Sequence, residues 1–166
     1  ISLFSYSPDD PNFIFPQNVE IKNLLGFHGS FVSDLFFQSI GLIAYLISFT
    51  LIATGYNILR TKDFFLIIEN IFYAILYIIF GSLFFSHYYV DAFTLYINGN
   101  GGFVGFFLES TFLKNIIQIN SLIFYYILIL LILILFLAGL PLIQIYFSQK
   151  GLAINDTLSK TALKII

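Results

Sequence analysis

Residues 122–140 read LIFYYILILLILILFLAGL, a run without a single charge or side-chain amide. Few folds are open to a chain that carries it. About 20 apolar residues at helical rise cross a ~30 Å hydrocarbon core. Backbone in that core must satisfy its own hydrogen bonds, which leaves the helix for an isolated apolar segment. The two-residue alternation of a membrane barrel is absent. Two more apolar blocks precede it, one over residues 31–56 with Asp34 and Gln38 near its start, one over residues 64–85 with Glu69 in its first two turns. The rest of the chain agrees: 59% of residues are hydrophobic and 10% charged, against about a quarter charged in soluble domains. The expected fold class is therefore an all-α integral membrane protein. It is a helical bundle with three complete transmembrane helices, at about 31–56, 64–85 and 120–141.

The flanking segments fill out this expectation. Residues 1–30 form an outer loop that opens on the apolar Ile1 to Phe4, too short to span but compatible with the end of a truncated first helix. The chain also lacks methionine, even at position 1, which suggests a piece of something longer. Between residues 86 and 119, Val104, Leu108, Phe112 and Ile116 recur every four positions, with Ser110, Lys114 and Gln118 on another face. That spacing predicts one amphipathic helix over 104–118 at the outer interface. Pro141 marks the end of the third span. Beyond it, residues 149–166 begin a cytoplasmic segment, with Asn155 or Asp156 placed to cap a short helix from Thr157.

Basic residues orient the bundle. Arg60, Lys62, Lys150, Lys160 and Lys164 fall on one side if the spans alternate, and Lys22 and Lys114 on the other. The five-against-two bias puts the C-terminal end in the cytoplasm and residues 1–30 and 86–119 outside.

Several residues invite chemistry. Gly99, Gly101 and Gly105 give G-x-G-x-x-x-G, one position off the dinucleotide fingerprint, with no βαβ unit around it and no Gly-Lys-Ser/Thr to end a P-loop. Glycines in this setting permit close backbone approach and a positive φ at a tight turn. Asp34 and Glu69 are ionisable groups in or near spans, where such residues often mark an ion path. Each also lies within two turns of an expected helix end, where Asp34 would favour the N-terminal dipole. His87 and Asp91, four apart, offer two metal ligands, too few for a site. Cysteine is absent, so thiolate chemistry and disulfides are excluded. A net charge of -2 with no basic run argues against a nucleic-acid surface. No catalytic set, cofactor site or metal site emerges.

Three stretches carry more than their individual weight: SYSPDDPNF, NLLGFHGSFVSDLFFQSIGLIAYLI and GGFVGFFL. In order and spacing they resemble the N-terminal four-transmembrane-helix domain of the FtsK/SpoIIIE family of bacterial DNA translocases. The matching positions are Tyr6, Pro8, Asp10 and Pro11; Asn23, Gly26, Gly29 and Asp34; Gly41, Ala44 and Tyr45; and Gly101, Gly102 and Gly105. The resemblance implies a transmembrane anchor over residues 1–148, in the inner membrane at the division septum, contacting other division proteins and assembling as a hexamer. It also implies a cytoplasmic linker and a motor that binds ATP and Mg and pumps double-stranded DNA; none of that machinery is in these residues. The competing expectation is a small transport or respiratory-complex subunit that uses intramembrane carboxylates.

Overall fold

The computed structural model describes residues 1–11, 20–62, 64–90 and 98–140, and among these every regular element is helical. In chain order the helices are α1 (Gly26–Ile40), α2 (Ala44–Thr61), α3 (Phe65–Tyr88), α4 (Gly102–Glu109), α5 (Leu113–Ile119) and α6 (Ser121–Ala138). Three segments are long and apolar enough to cross a membrane: Gly26–Arg60, Ile67–Tyr88 and Ser121–Ala138.

The second and third spans lie close to their expected bounds; the first does not. It starts at Gly26, inside the expected outer loop, and runs to Thr61 with a 3-10 turn, Gly41–Ile43, between its halves. Asp34 therefore sits two turns inside α1, away from any helix start. The uninterrupted run of apolar residues hid the break, because hydropathy reports burial in lipid and is blind to a positive φ at one glycine. The expected amphipathic helix over 104–118 is also two helices. Ser110 donates its hydroxyl to the Phe107 carbonyl, and Thr111 donates to the Leu108 carbonyl. These local bonds compete with helical ones and end α4. Residues 1–5 close one turn, with the Phe4 and Ser5 N–H groups both donating to the Ile1 carbonyl. Pro141, Asp91, Lys150, Lys160, Lys164 and the expected helix from Thr157 lie outside the described residues.

α3 is the centre of the bundle. α2 packs against it through Asn70 and Tyr77, α6 runs along it from Tyr73 to Tyr88, and α4 crosses it at Ser82. One cluster joins Leu3, Phe37, Ile40, Ile43, Ala44 and Tyr77; the other joins Leu83, Phe84, Ile117 and Leu128. Most of α6 is exposed apolar surface, as expected of a helix solvated by lipid, with only Leu128 fully buried. Its start is capped by Asn120, whose side-chain oxygen accepts from the Ile123 N–H at 3.2 Å. At the other end of the bundle, Lys62 closes α2 in a left-handed conformation, and Arg60 lies in the last turn, where the dipole favours a cation.

Candidate functional site

The motif residues, scattered over a hundred positions, converge on two adjoining regions at one end of the bundle. The first is a loop cage around Asp10 and Asn23. Asp10 is buried, and its two carboxylate oxygens accept the backbone N–H groups of Lys22 at 2.8 Å and Asn23 at 2.9 Å. Asn23, also buried, donates its amide to the Ser2 carbonyl at 3.0 Å and to Ser33 Oγ at 3.3 Å, while its oxygen accepts the Leu25 N–H. Ser30 donates to the Pro11 carbonyl at 2.8 Å. One carboxylate and one amide thus tie residues 2–11 and 22–25 onto the face of α1. Gly29 lines this face, since a side chain there would overlap the Asn23 amide. Tyr6 packs on Phe37 with ring centroids 4.7 Å apart and planes tilted by 49°, and donates its hydroxyl to Asp34 at 3.3 Å. Tyr45 closes the other side of Phe37 at 5.1 Å. Pro8 is exposed and joins neither region.

The second region is a backbone knot at the break between α1 and α2. Interrupting a helix frees polar groups that cost several kcal/mol each if left bare in hydrocarbon. Here three of them are met by distant segments, while the Gly41 N–H stays with the Phe37 carbonyl. The Gln38 carbonyl accepts from the Asn98 amide at 3.1 Å, and the Ile40 carbonyl from the Ser82 hydroxyl at 2.9 Å. The Leu42 N–H donates to the Asn100 carbonyl at 2.9 Å. Asn100 itself is buried and donates its amide to the Tyr89 carbonyl.

Glycine makes the knot possible. Gly41 has φ +70° and faces the Asn100 carbonyl and Gly101 directly, leaving no room for a Cβ. Gly102 has φ +62°, and a Cβ there would lie 2.5 Å from the Gly41 nitrogen and 2.6 Å from that of Ile40. Gly101 and Gly105, on the neighbouring face of α4, rest on the Ser82 carbonyl of α3. The glycine stretch that evokes a phosphate loop is filled by the protein's own backbone. Ala44, the first residue of α2, is fully buried beside it.

The charged groups do not form a relay. Asp34 bonds Tyr6 on α1, whereas Glu69 is exposed in the second turn of α3. Glu69 lies 13 residues before Ser82, about 20 Å along the helix axis. His87 faces Glu109, with 3.4 Å between Nδ1 and Oε1, and the same carboxylate oxygen lies 3.5 Å from Lys114. No group of three potential metal ligands occurs among the described residues.

A polar ladder between α2 and α3 escaped the sequence reading. Thr50 and the Tyr77 hydroxyl are 3.0 Å apart, and Asn70 donates to Thr54 at 2.7 Å. Asn57 continues the stripe and is buried. The signal was available as helical spacing, Thr50, Thr54 and Asn57 on one side and Asn70 and Tyr77 on the other.

The family model for the 4TM region of DNA translocase FtsK/SpoIIIE matches residues 1–148, the cage, the knot and all three spans included. The chain belongs to that family. No curated protein and no solved structure matches it. As a 4TM-region chain with three membrane-crossing segments among its described residues, it is a multi-pass membrane protein, and the region is the membrane part of an FtsK/SpoIIIE translocase rather than its motor.

Proposed function

We infer that this FtsK/SpoIIIE 4TM region anchors a DNA translocase that couples cell division to chromosome segregation. It sits in the bacterial inner membrane at the division septum, with its C-terminal end in the cytoplasm. The motor it anchors hydrolyses ATP with Mg and moves double-stranded DNA; the anchor supplies position, contacts to division proteins and a scaffold for hexamer assembly. The observation that carries this reading is that the family match spans both regions in which the motif residues meet, and that those residues are engaged in packing and backbone bonding. Arg60 and Lys62 at one end of the bundle support the orientation, by the preference of basic loops for the cytoplasm.

The transport reading required Asp34 and Glu69 to share a path. One is held by a tyrosine near the cage and the other is exposed in the second turn of α3, about 20 Å along that helix from Ser82 at the knot, so the geometry gives it no support. An Asp34→Asn/Glu69→Gln double variant reconstituted in vesicles is expected to give the same proton and ion flux as wild type, both at the level of empty vesicles.

Gly102→Ile tests the anchor. A β-branched side chain at φ +62°, against the nitrogens of Ile40 and Gly41, has no room without opening the knot. In the full-length translocase this substitution is expected to abolish septal localisation and membrane assembly. ATP hydrolysis by the separately prepared motor is expected to be untouched. Normal localisation of Gly102→Ile by fluorescence microscopy would overturn the reading.

A further inference from the structure

The hairpin of α4 and α5 encloses an open pocket of about 560 Å³, lined by Phe106, Glu109, Ser110, Thr111, Phe112 and Lys114. Its lining carries one charge of each sign, with Glu109 Oε1 and Lys114 Nζ 3.5 Å apart. Two of its aromatic residues are exposed, Phe106 at 63% and Phe112 at 69%. The pocket lies at the end of the bundle where α3 finishes. There the Tyr88 hydroxyl donates to the Ser121 carbonyl, and the Tyr89 and Tyr125 hydroxyls meet at 3.0 Å. Clustered tyrosines of this kind mark the level of the lipid headgroups. A charge pair of both signs beside exposed aromatic residues at headgroup depth narrows the range of ligands.

We propose that this pocket binds the headgroup of an ethanolamine phospholipid. Such a headgroup carries a phosphate and a primary ammonium two carbons apart, a dipole that lies antiparallel against the Glu109–Lys114 pair. Its ammonium faces the Glu109 carboxylate and its phosphate faces the Lys114 ammonium. Glu109 is four-fifths buried, with His87 Nδ1 3.4 Å from its Oε1, so it has less freedom than a surface carboxylate. A primary ammonium donates N–H bonds to that acceptor, which a quaternary choline cannot do. The acyl chains leave across Phe106 and Phe112 into the bilayer. Phosphatidylglycerol, an acidic lipid with no ammonium, would bring its phosphate to Lys114 and leave Glu109 facing negative charge.

The test is native mass spectrometry of the protein extracted from nanodiscs holding equal parts of phosphatidylethanolamine, phosphatidylcholine and phosphatidylglycerol. Wild type is expected to retain phosphatidylethanolamine about fivefold over the other two, the ratio that one well-placed, partly exposed ion pair supplies. Glu109→Gln is expected to erase the discrimination between ethanolamine and choline. Lys114→Gln, which alters only a half-exposed side chain and so keeps the fold, is expected to lower retention of all three. Lys22→Gln removes the exposed partner of Asp9 elsewhere on the surface and is expected to change nothing. Equal retention of the three lipids by wild type, enrichment that survives Glu109→Gln, or total retention unchanged by Lys114→Gln, would overturn the proposal. Full displacement of the retained lipid by millimolar soluble phosphoethanolamine would assign the pocket to a free ligand and overturn the lipid assignment.

Discussion

Gly26 and Gly41 both have a positive φ, +63° and +70°, yet their surroundings differ completely. Nothing lies within 4 Å of a Cβ added at Gly26, so alanine there costs only the conformational penalty, about 1–2 kcal/mol. At Gly41 the same methyl group runs into the Asn100 carbonyl and comes within 2.7 Å of the Gly101 carbonyl carbon. Neither backbone can move without breaking the Leu42–Asn100 bond. Gly41→Ala is therefore expected to lower the thermal midpoint in detergent at least twice as far as Gly26→Ala, measured on purified protein by tryptophan-free fluorescence or light scattering. Equal shifts would mean that the knot contributes nothing beyond φ. A sequence shows that both positions are glycine; it does not show which backbone each one faces, and that difference decides the two outcomes. The buried pairings of Asp10 with the amides of Lys22 and Asn23 were equally hidden, since their partner is backbone, which carries no residue signature.

Elements were legible to the extent that hydropathy defines them. The α3 and α6 helices follow directly from their apolar runs. Local side-chain competition shaped what hydropathy could not register: Ser110 and Thr111 split the outer segment, and Gly41 split the first span. The α2–α3 ladder was also legible in principle, because Thr50, Thr54 and Asn57 recur at helical spacing, but a few polar residues scarcely alter an apolar average. Polar pairs between membrane helices contribute about 0.6 kcal/mol on average and up to about 1.7. A double-mutant cycle of Thr54→Val and Asn70→Leu, followed by reversible unfolding in mixed micelles, is expected to give a coupling energy within that range. Additive effects of the two substitutions would show that the 2.7 Å bond is replaced without loss by other partners.

For the molecule as a whole, the register of α6 against α3 fixes how the two halves of the bundle meet. Tyr88 reaches Ser121 at one end, and a Cβ on Gly139 would lie 3.0 Å from that of Tyr73 at the other. The native chain has no cysteine, so a pair introduced there has no competitor. Tyr73→Cys/Gly139→Cys is expected to form a disulfide within one chain under mild oxidation, seen as faster migration on non-reducing gels. Tyr73→Cys/Leu130→Cys, nine residues out of register, is expected to stay reduced. Cross-linking of the second pair would refute the register. Both the family and the fold class were readable from the sequence, because short motifs and long apolar runs survive without coordinates. The meeting of those motifs in space was not, since the knot joins the break near Gly41 to segments up to about sixty residues further along the chain.

That separation has a consequence for biosynthesis. The break at Gly41 enters the membrane with its flanking backbone groups exposed, and their partners at Ser82, Asn98 and Asn100 have yet to be made. At about 5–20 residues per second, some sixty residues occupy the ribosome for roughly 3–12 seconds. Throughout that interval the first span is a helix with a fault in its middle, held only by water or by the insertion machinery. A nascent chain halted before residue 100 would thus carry enough apolar length to stay in the bilayer and lack the segment that seals it, a state that membrane proteases are suited to find.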